Sequence, residues 1–136
     1  PKHPWAARGR VLRADIPSQK YLFYFRNSRT SELIEDYFRI ENMEIKSVVE
    51  IGSMSAIKEL VKLGLGISIL APWIARAELA KKTLVELSLG RRKLKRKWGI
   101  LSLKGRPTDW AEETFVKLSE LGIMQFAARN GLRSHV

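Results

Sequence analysis

The stretch EIGSMSAIKELVKLGLGISILAP, residues 50–72, decides how the rest of this chain is organised. It opens at the end of a strand covering 48–51, turns through Gly52 and Ser53, and then places Ile57, Leu60, Val61 and Gly64 at i, i+3, i+4 and i+7. A helix is therefore expected from Ser53. The pair Gly64 and Gly66 ends it, because glycine enters the left-handed C-cap conformation without strain. Residues 67–71 follow as a short apolar run of the kind buried on both faces of a parallel sheet, and Pro72 closes that strand or opens the next helix at its first position. The unit is strand, helix, strand, with a right-handed crossover expected.

The segment upstream repeats the pattern. YLFYF, residues 21–25, suits a central strand with both faces covered. Ser28 or Thr30 then caps a helix over 29–40, whose apolar stripe is Leu33, Ile34, Tyr37 and Phe38 and whose polar side carries Glu32, Glu35, Asp36 and Arg39. ENME, residues 41–44, ends this helix, and 46–51 forms the next strand. Both helix N-termini thus fall on one edge of a parallel sheet, the edge where ligands bind. Asn27, Ser28, Arg29 and Thr30 bring side-chain donors there, Gly52 lets backbone come close, and Ser53 and Met54 begin the second helix beside unpaired N–H groups. A carboxylate, sulfate or phosphate suits such a place. The plainer alternative is that Ser28 and Ser53 are N-caps and nothing more.

Downstream, 73–79 reads as a short helix, 83–87 and 98–103 as strands, and 107–109 as the start of a last helix carrying Trp110, Phe115, Leu118 and Leu121. The final segment, 126–136, is polar and basic and is expected to fray. At the other end, 1–19 shows little periodicity and reads as a surface connection, with one helical turn over 11–16.

Composition narrows the function. A chain of 136 residues with 45% hydrophobic residues supports one domain with a real core. The absence of cysteine removes disulfides, thiol catalysis and cysteine-bound zinc. His3 and His135 lie at opposite ends of the sequence, where a solvated side chain is expected, and no metal-ligand spacing or paired nucleophile and base is present. Gly64-x-Gly66 precedes a strand instead of following one, so it is no dinucleotide fingerprint. No catalytic residue, metal or cofactor is therefore expected. No apolar run approaches a membrane span, and the first residues lack the apolar centre of a signal peptide, so the expected location is the cytoplasm.

The net charge of +11 is unevenly spread. Residues 21–86 carry nine basic and nine acidic groups, whereas 87–108 carry eight basic groups and no acidic one. Six of those eight fall within 91–97, RRKLKRK. That run is either a solvated loop or a grip for nucleic acid or an acidic partner, and no aromatic residues interleave with it to stack on bases.

Several motifs together resemble the effector-binding domain of LysR-type transcriptional regulators. They are the acid and Gly-Ser of 50–53, the helix ending Leu-Val-Lys-Leu-Gly-Leu-Gly, the following Ile-Ser-Ile-Leu-Ala-Pro, His3-Pro4-Trp5-Ala6, and Asn27-Ser28-Arg29-Thr30 ahead of Leu33, Ile34 and Phe38. Trp5 and Asn27 depart from the leucine and glycine usual at those places. The likeness covers residues 2–124 and implies an α/β domain of the type 2 periplasmic-binding-protein kind: mostly the second subdomain, over 21–90, with a strand and helix of the first subdomain over 91–128, a connection over 1–20 and a tail over 129–136. It implies no enzyme but a sensor in which a small metabolite bridges two subdomains, with 27–30 and 52–54 as binding residues. It further implies a homo-oligomer, dimer or tetramer, that meets DNA only through an N-terminal helix-turn-helix lacking here, so that the chain is expected to be part of a longer protein. Strand 98–103 and the last helix, without their upstream partners, are then expected to expose an apolar patch and to associate. A transporter's solute-binding protein shares the fold and is the first alternative; a basic nucleic-acid-binding protein acting through 91–97 is the second.

Overall fold

Tyr21, Leu22 and Phe23 are all buried, so the strand they belong to, β1 (Lys20–Phe23), is covered on both faces, as a central parallel strand must be. The computed structural model describes residues 3–25, 27–97 and 99–130. β1 pairs in parallel with β2 (Ser47–Glu50), with Lys20 opposite Ser47 and Phe23 opposite Glu50. On its other edge β1 receives Ile67 through one parallel bridge, in which Ile67 N–H donates to Lys20 O at 2.9 Å and Leu22 N–H donates to Ile67 O at 2.8 Å. The full strand expected over 67–71 is reduced to this bridge. At the next step Leu22 O accepts from the Ser68 hydroxyl at 2.6 Å instead of from a main-chain N–H.

The spatial order β2, β1, Ile67 determines where the helices lie. The chain leaves β1, forms α2 (Arg29–Ile40) and arrives at β2; it then forms α3 (Met54–Lys62) and returns past β1 to Ile67. Right-handed crossovers in opposite directions put α2 and α3 on opposite faces of the sheet. Side-chain parity agrees with this. The Tyr21 ring meets the Phe38 ring of α2 edge to face at 5.7 Å, while Leu22 has the opposite parity and α3 packs on β1. Ile34, Tyr37 and Phe38 are buried along the α2 stripe, and Ile57 is the fully buried anchor of α3.

Two elements at the start of the chain complete this core. Residues 3–19 are less of a surface connection than expected, because Pro4–Arg8 forms a helix, α1, that buries Trp5. His3 caps it by accepting from Trp5 N–H at 3.2 Å, and Gly9 closes it at φ +66°. Five residues are too few to show a helical period, which is why the pattern is silent in the sequence. The turn expected over 11–16 is a 3-10 turn at Arg13–Ser18, and it sends Ile16 into the core, where Ile16 O accepts from the buried Tyr21 hydroxyl at 3.1 Å. Burial pushes the Tyr21 phenol up to about 12.

Beyond the sheet, Pro72–Ala75 forms a 3-10 turn with proline at its start, and α4 (Arg76–Ala80) follows, together filling the place of the helix expected over 73–79. The strand expected over 83–87 does not form, since the amides of Thr83 and Leu84 turn back onto Glu78 O and close the end of α4. The chain divides into two compact units, the first ending at Arg96 and the second beginning at Lys97.

The second unit is built on α5 (Trp110–Asn130). Asp109 and Glu112 cap it reciprocally: Glu112 N–H donates to Asp109 Oδ1 at 2.8 Å and Asp109 N–H to Glu112 Oε2 at 3.3 Å. The helix continues through 126–130, where a frayed tail is expected, because Phe126, Ala127 and Ala128 carry on a favourable helical run; 131–136 lie outside the described residues. Residues 99–103 form no strand, since a strand needs a neighbour to pair with and none lies beside them among the described residues; Trp98 is outside those residues. Trp110, Phe115, Leu118 and Leu121 are all exposed, as are Leu101 and Leu103.

Candidate functional site

The end of β1 and the end of β2 lie side by side, held by Ile51 N–H donating to Phe23 O at 2.8 Å. Because α2 and α3 depart from these neighbouring strands to opposite faces, the crevice between their first turns is the topological switch point of the sheet. Each helix begins on a serine. Ser28 Oγ accepts from Ser31 N–H at 3.2 Å and donates to Phe25 O at 3.1 Å, and Ser53 Oγ accepts from Ala56 N–H at 3.3 Å. Both serines therefore act as the N-caps that the plainer reading requires. Each cap satisfies the third amide of its helix, and the fourth bonds the cap carbonyl, Glu32 to Ser28 and Ile57 to Ser53. The first two amides, of Arg29 and Thr30 in α2 and of Met54 and Ser55 in α3, have no intrahelical acceptor and face the crevice end of the sheet.

Phe25 joins the two loops. A methyl group at Gly52 would lie 3.4 Å from the Phe25 ring, an ordinary contact, so that ring packs beside the second loop. Met54 is half-buried, and Asn27 is exposed at the rim. The expected residues 27–30 and 52–54 are therefore brought to one edge, but not all offer free groups. Arg29 pairs with Glu32 at 2.7 Å along its own helix, and that carboxylate raises the guanidinium further. Thr30 Oγ1 accepts from Arg96 Nη1 at 3.1 Å. Arg96 and Phe25 are missing from the residues expected for the site. Arg96 comes from 66 positions along the chain, a proximity that no local spacing records.

Two buried oxygens near these helices have no hydrogen-bond partner among the described residues: Ser31 Oγ, in the first turn of α2, and Glu78 Oε2. The other oxygen of Glu78 meets Lys58 Nζ at 2.8 Å, and Lys58 also donates to Ile74 O at 3.3 Å, tying α3 to the segment around α4. The Lys58 ammonium holds the Glu78 carboxyl below its usual range. His3, expected to be solvated, is half-buried instead and engages Gln19 Oε1 at 2.9 Å besides capping α1; His135 lies outside the described residues. No group of three His, Cys, Asp or Glu side chains suited to a metal occurs among the described residues. No helix among them is long and apolar enough to cross a membrane. In the second unit an open groove of about 430 Å³ is lined by Gly99, Ile100, Ser119, Gly122, Ile123 and Phe126, a mostly apolar surface with no charged side chain.

Comparison with known proteins identifies the family. The sequence model of the LysR substrate binding domain matches residues 1–120. A "Probable RuBisCO transcriptional regulator" of Cyanidium caldarium is 26% identical over 118 residues, covering 85% of this chain and 37% of the relative. The "HTH-type transcriptional regulator CbbR" of Cereibacter sphaeroides is 30% identical over 110 residues, or 80% and 36% of the two chains. The "HTH-type transcriptional regulator CysL" of Bacillus subtilis is 27% identical over 96 residues, or 71% and 32%. The chain thus spans about a third of the length of these curated relatives. No solved structure gives a significant match. A family match over 120 of 136 residues, on a parallel sheet whose switch point carries two capped helix N-termini, means that the chain belongs to the LysR substrate-binding domain family and has its periplasmic-binding-protein-like α/β fold.

Proposed function

We propose that this chain is the effector-sensing domain of a LysR-type transcriptional regulator and that it binds a small anionic metabolite at the crevice between α2 and α3. The observation that carries the reading is the juxtaposition of two serine-capped helix starts on adjacent parallel strands, with the amides of Arg29, Thr30, Met54 and Ser55 left without intrahelical acceptors at that edge. Asn27, Ser28, Arg29, Thr30, Gly52, Ser53 and Met54 make up the site. Residues 21–90 are most of one effector subdomain, and α5 returns to the other. The metabolite bridges the two and shifts their angle, by an amount limited to its difference in affinity for the two arrangements. In the whole regulator, a cytoplasmic homo-oligomer, that change alters the spacing of helix-turn-helix heads on DNA.

The test is a thermal-unfolding scan of the chain against a panel of carboxylates, sulfate and phosphate esters at fixed salt. A ligand at a hundred times its dissociation constant adds about 2.7 kcal/mol of stability. Thr30→Ala, which removes no cap and only the exposed bond from Arg96, is expected to weaken a selective shift with little change in the unliganded midpoint. Ser53→Ala is expected to lower the unliganded midpoint, by about 0.5–2 kcal/mol in stability, and the ligand shift as well. A ligand whose shift survives both substitutions undiminished overturns this placement of the site.

A further inference from the structure

Arg96 lies beside the first turn of α2, although it comes from a segment that local spacing reads as a separate basic run. Its Nη1 donates to Thr30 Oγ1 at 3.1 Å, so the guanidinium stands one hydrogen bond from a residue of the crevice. That bond gives the Thr30 hydroxyl a direction. A guanidinium only donates, so the Thr30 oxygen accepts from it and keeps its own proton to donate. The amides of Arg29 and Thr30, which have no intrahelical acceptor, are donors as well. Around Thr30 the guanidinium, the hydroxyl and two amides therefore all donate.

The source of positive charge at this end of the crevice follows from the ion pairs. Arg29 stands in the same turn, but it meets Glu32 Oε2 at 2.7 Å along its own helix, and the pair carries no net charge. The amides alone discriminate weakly: at an exposed helix end they favour an anion by about two- to five-fold, and salt screens them. A full charge about 4 Å away adds about six-fold even at the dielectric of water, where two unit charges attract by about 1 kcal/mol at that distance.

We propose that Arg96 is a specificity-determining residue of the crevice, its guanidinium and the Thr30 hydroxyl together holding the negatively charged oxygens of a carboxylate, sulfate or phosphate group. The assignment rests on the placement of the effector site between α2 and α3 and adds to it the side chain that supplies the charge. A guanidinium carries five donors in a planar fork, so one bond to Thr30 does not exhaust it, and the fork matches the two oxygens of an oxyanion.

The experiment follows the amide signals of Arg29, Thr30, Met54 and Ser55 by two-dimensional NMR while sodium sulfate is titrated into the chain at constant ionic strength. In the parent these signals are expected to shift together and saturate. R96Q removes the charge and is expected to weaken sulfate binding by about six-fold, with little change in the thermal midpoint because the side chain is exposed. R96K keeps the charge without the fork and is expected to fall between the two. Higher ionic strength is expected to weaken the parent more than R96Q, a difference that loss of a merely positioning bond does not produce. R92Q is the matched control, since Arg92 pairs with Glu41 where α2 ends, eleven positions and about 16 Å along the helix from Thr30, and it is expected to bind sulfate as the parent does. Equal losses in R96Q and R92Q, or undiminished binding by R96Q, overturn the role of Arg96 and leave the site standing. A parent whose four amides do not respond to sulfate overturns the site and the assignment of Arg96 with it.

Discussion

Gly66→Ala tests the sheet at its most crowded point. A methyl group there would lie 2.7 Å from Lys20 O, 2.9 Å from Leu22 Cγ and 3.2 Å from Leu22 Cδ2. Leu22 is buried at 2% exposure, and Lys20 O is main chain that already accepts from Ile67 N–H, so neither yields cheaply. Relief to an ordinary contact requires a shift of about 0.7 Å, which stretches the 2.9 Å bond from Ile67 N–H past hydrogen-bonding range and weakens its 2.8 Å companion. Overpacking costs about 1–3 kcal/mol and each lost bond about 1 kcal/mol, so the expected loss is about 2–4 kcal/mol. Urea unfolding measures it, and amide hydrogen exchange at Leu22 and Ile67 locates it. Gly64→Ala is the contrast, since Gly64 stands at φ +78° in open space; its cost is about 1–2 kcal/mol of backbone strain with ladder protection retained. A Gly66→Ala chain within about 0.5 kcal/mol of the parent, with protection at Ile67 unchanged, would refute the reasoning.

Tyr21 ionises at about 10 when exposed and at about 12 in the fold, so its contribution is complete below pH 10 and lost as pH rises toward 12, by at most about 2.7 kcal/mol. Tyr21→Phe is expected to flatten that alkaline limb in urea midpoints while losing about 1 kcal/mol at neutral pH through the bond to Ile16 O. Glu41 is held below the usual carboxylate range, first by Arg13 and also by Arg92. Its contribution is present above about pH 4.3 and lost as pH falls through its folded value, so Glu41→Gln is expected to show a shallower acid limb than the parent in midpoints taken from pH 6 to 2.5.

Much of the first unit is legible in residue order because the signals are local. The α2 stripe of Ile34, Tyr37 and Phe38, the serine caps at 28 and 53, and the buried run 21–23 lie where spacing puts them, and Gly64 takes the left-handed position at the end of α3. Gly66 is the instructive partner of that pair. It also reads as a helix stop, yet its reason is the closeness of β1, a fact about space that no neighbour in sequence carries. The strand expected at 83–87 gives way to the amides of Thr83 and Leu84 closing α4, and residues 99–103 pair with no strand among the described residues; β propensity alone does not specify a ladder.

The residues that meet at the candidate site divide along the same line. The sequence by itself determined the two strand-to-helix turns, because each is a short-range pattern of apolar run, serine and helical period. Only the tertiary structure decided that the turns sit on adjacent strands with their helices on opposite faces, that the Phe25 ring lies against Gly52, and that Arg92 meets Glu41 and Arg96 meets Thr30 at the two ends of α2. Local spacing encodes dihedral preference and which side of an element is apolar; proximity between residues 66 positions apart arises only when the closed chain balances burial against ordering entropy as a whole.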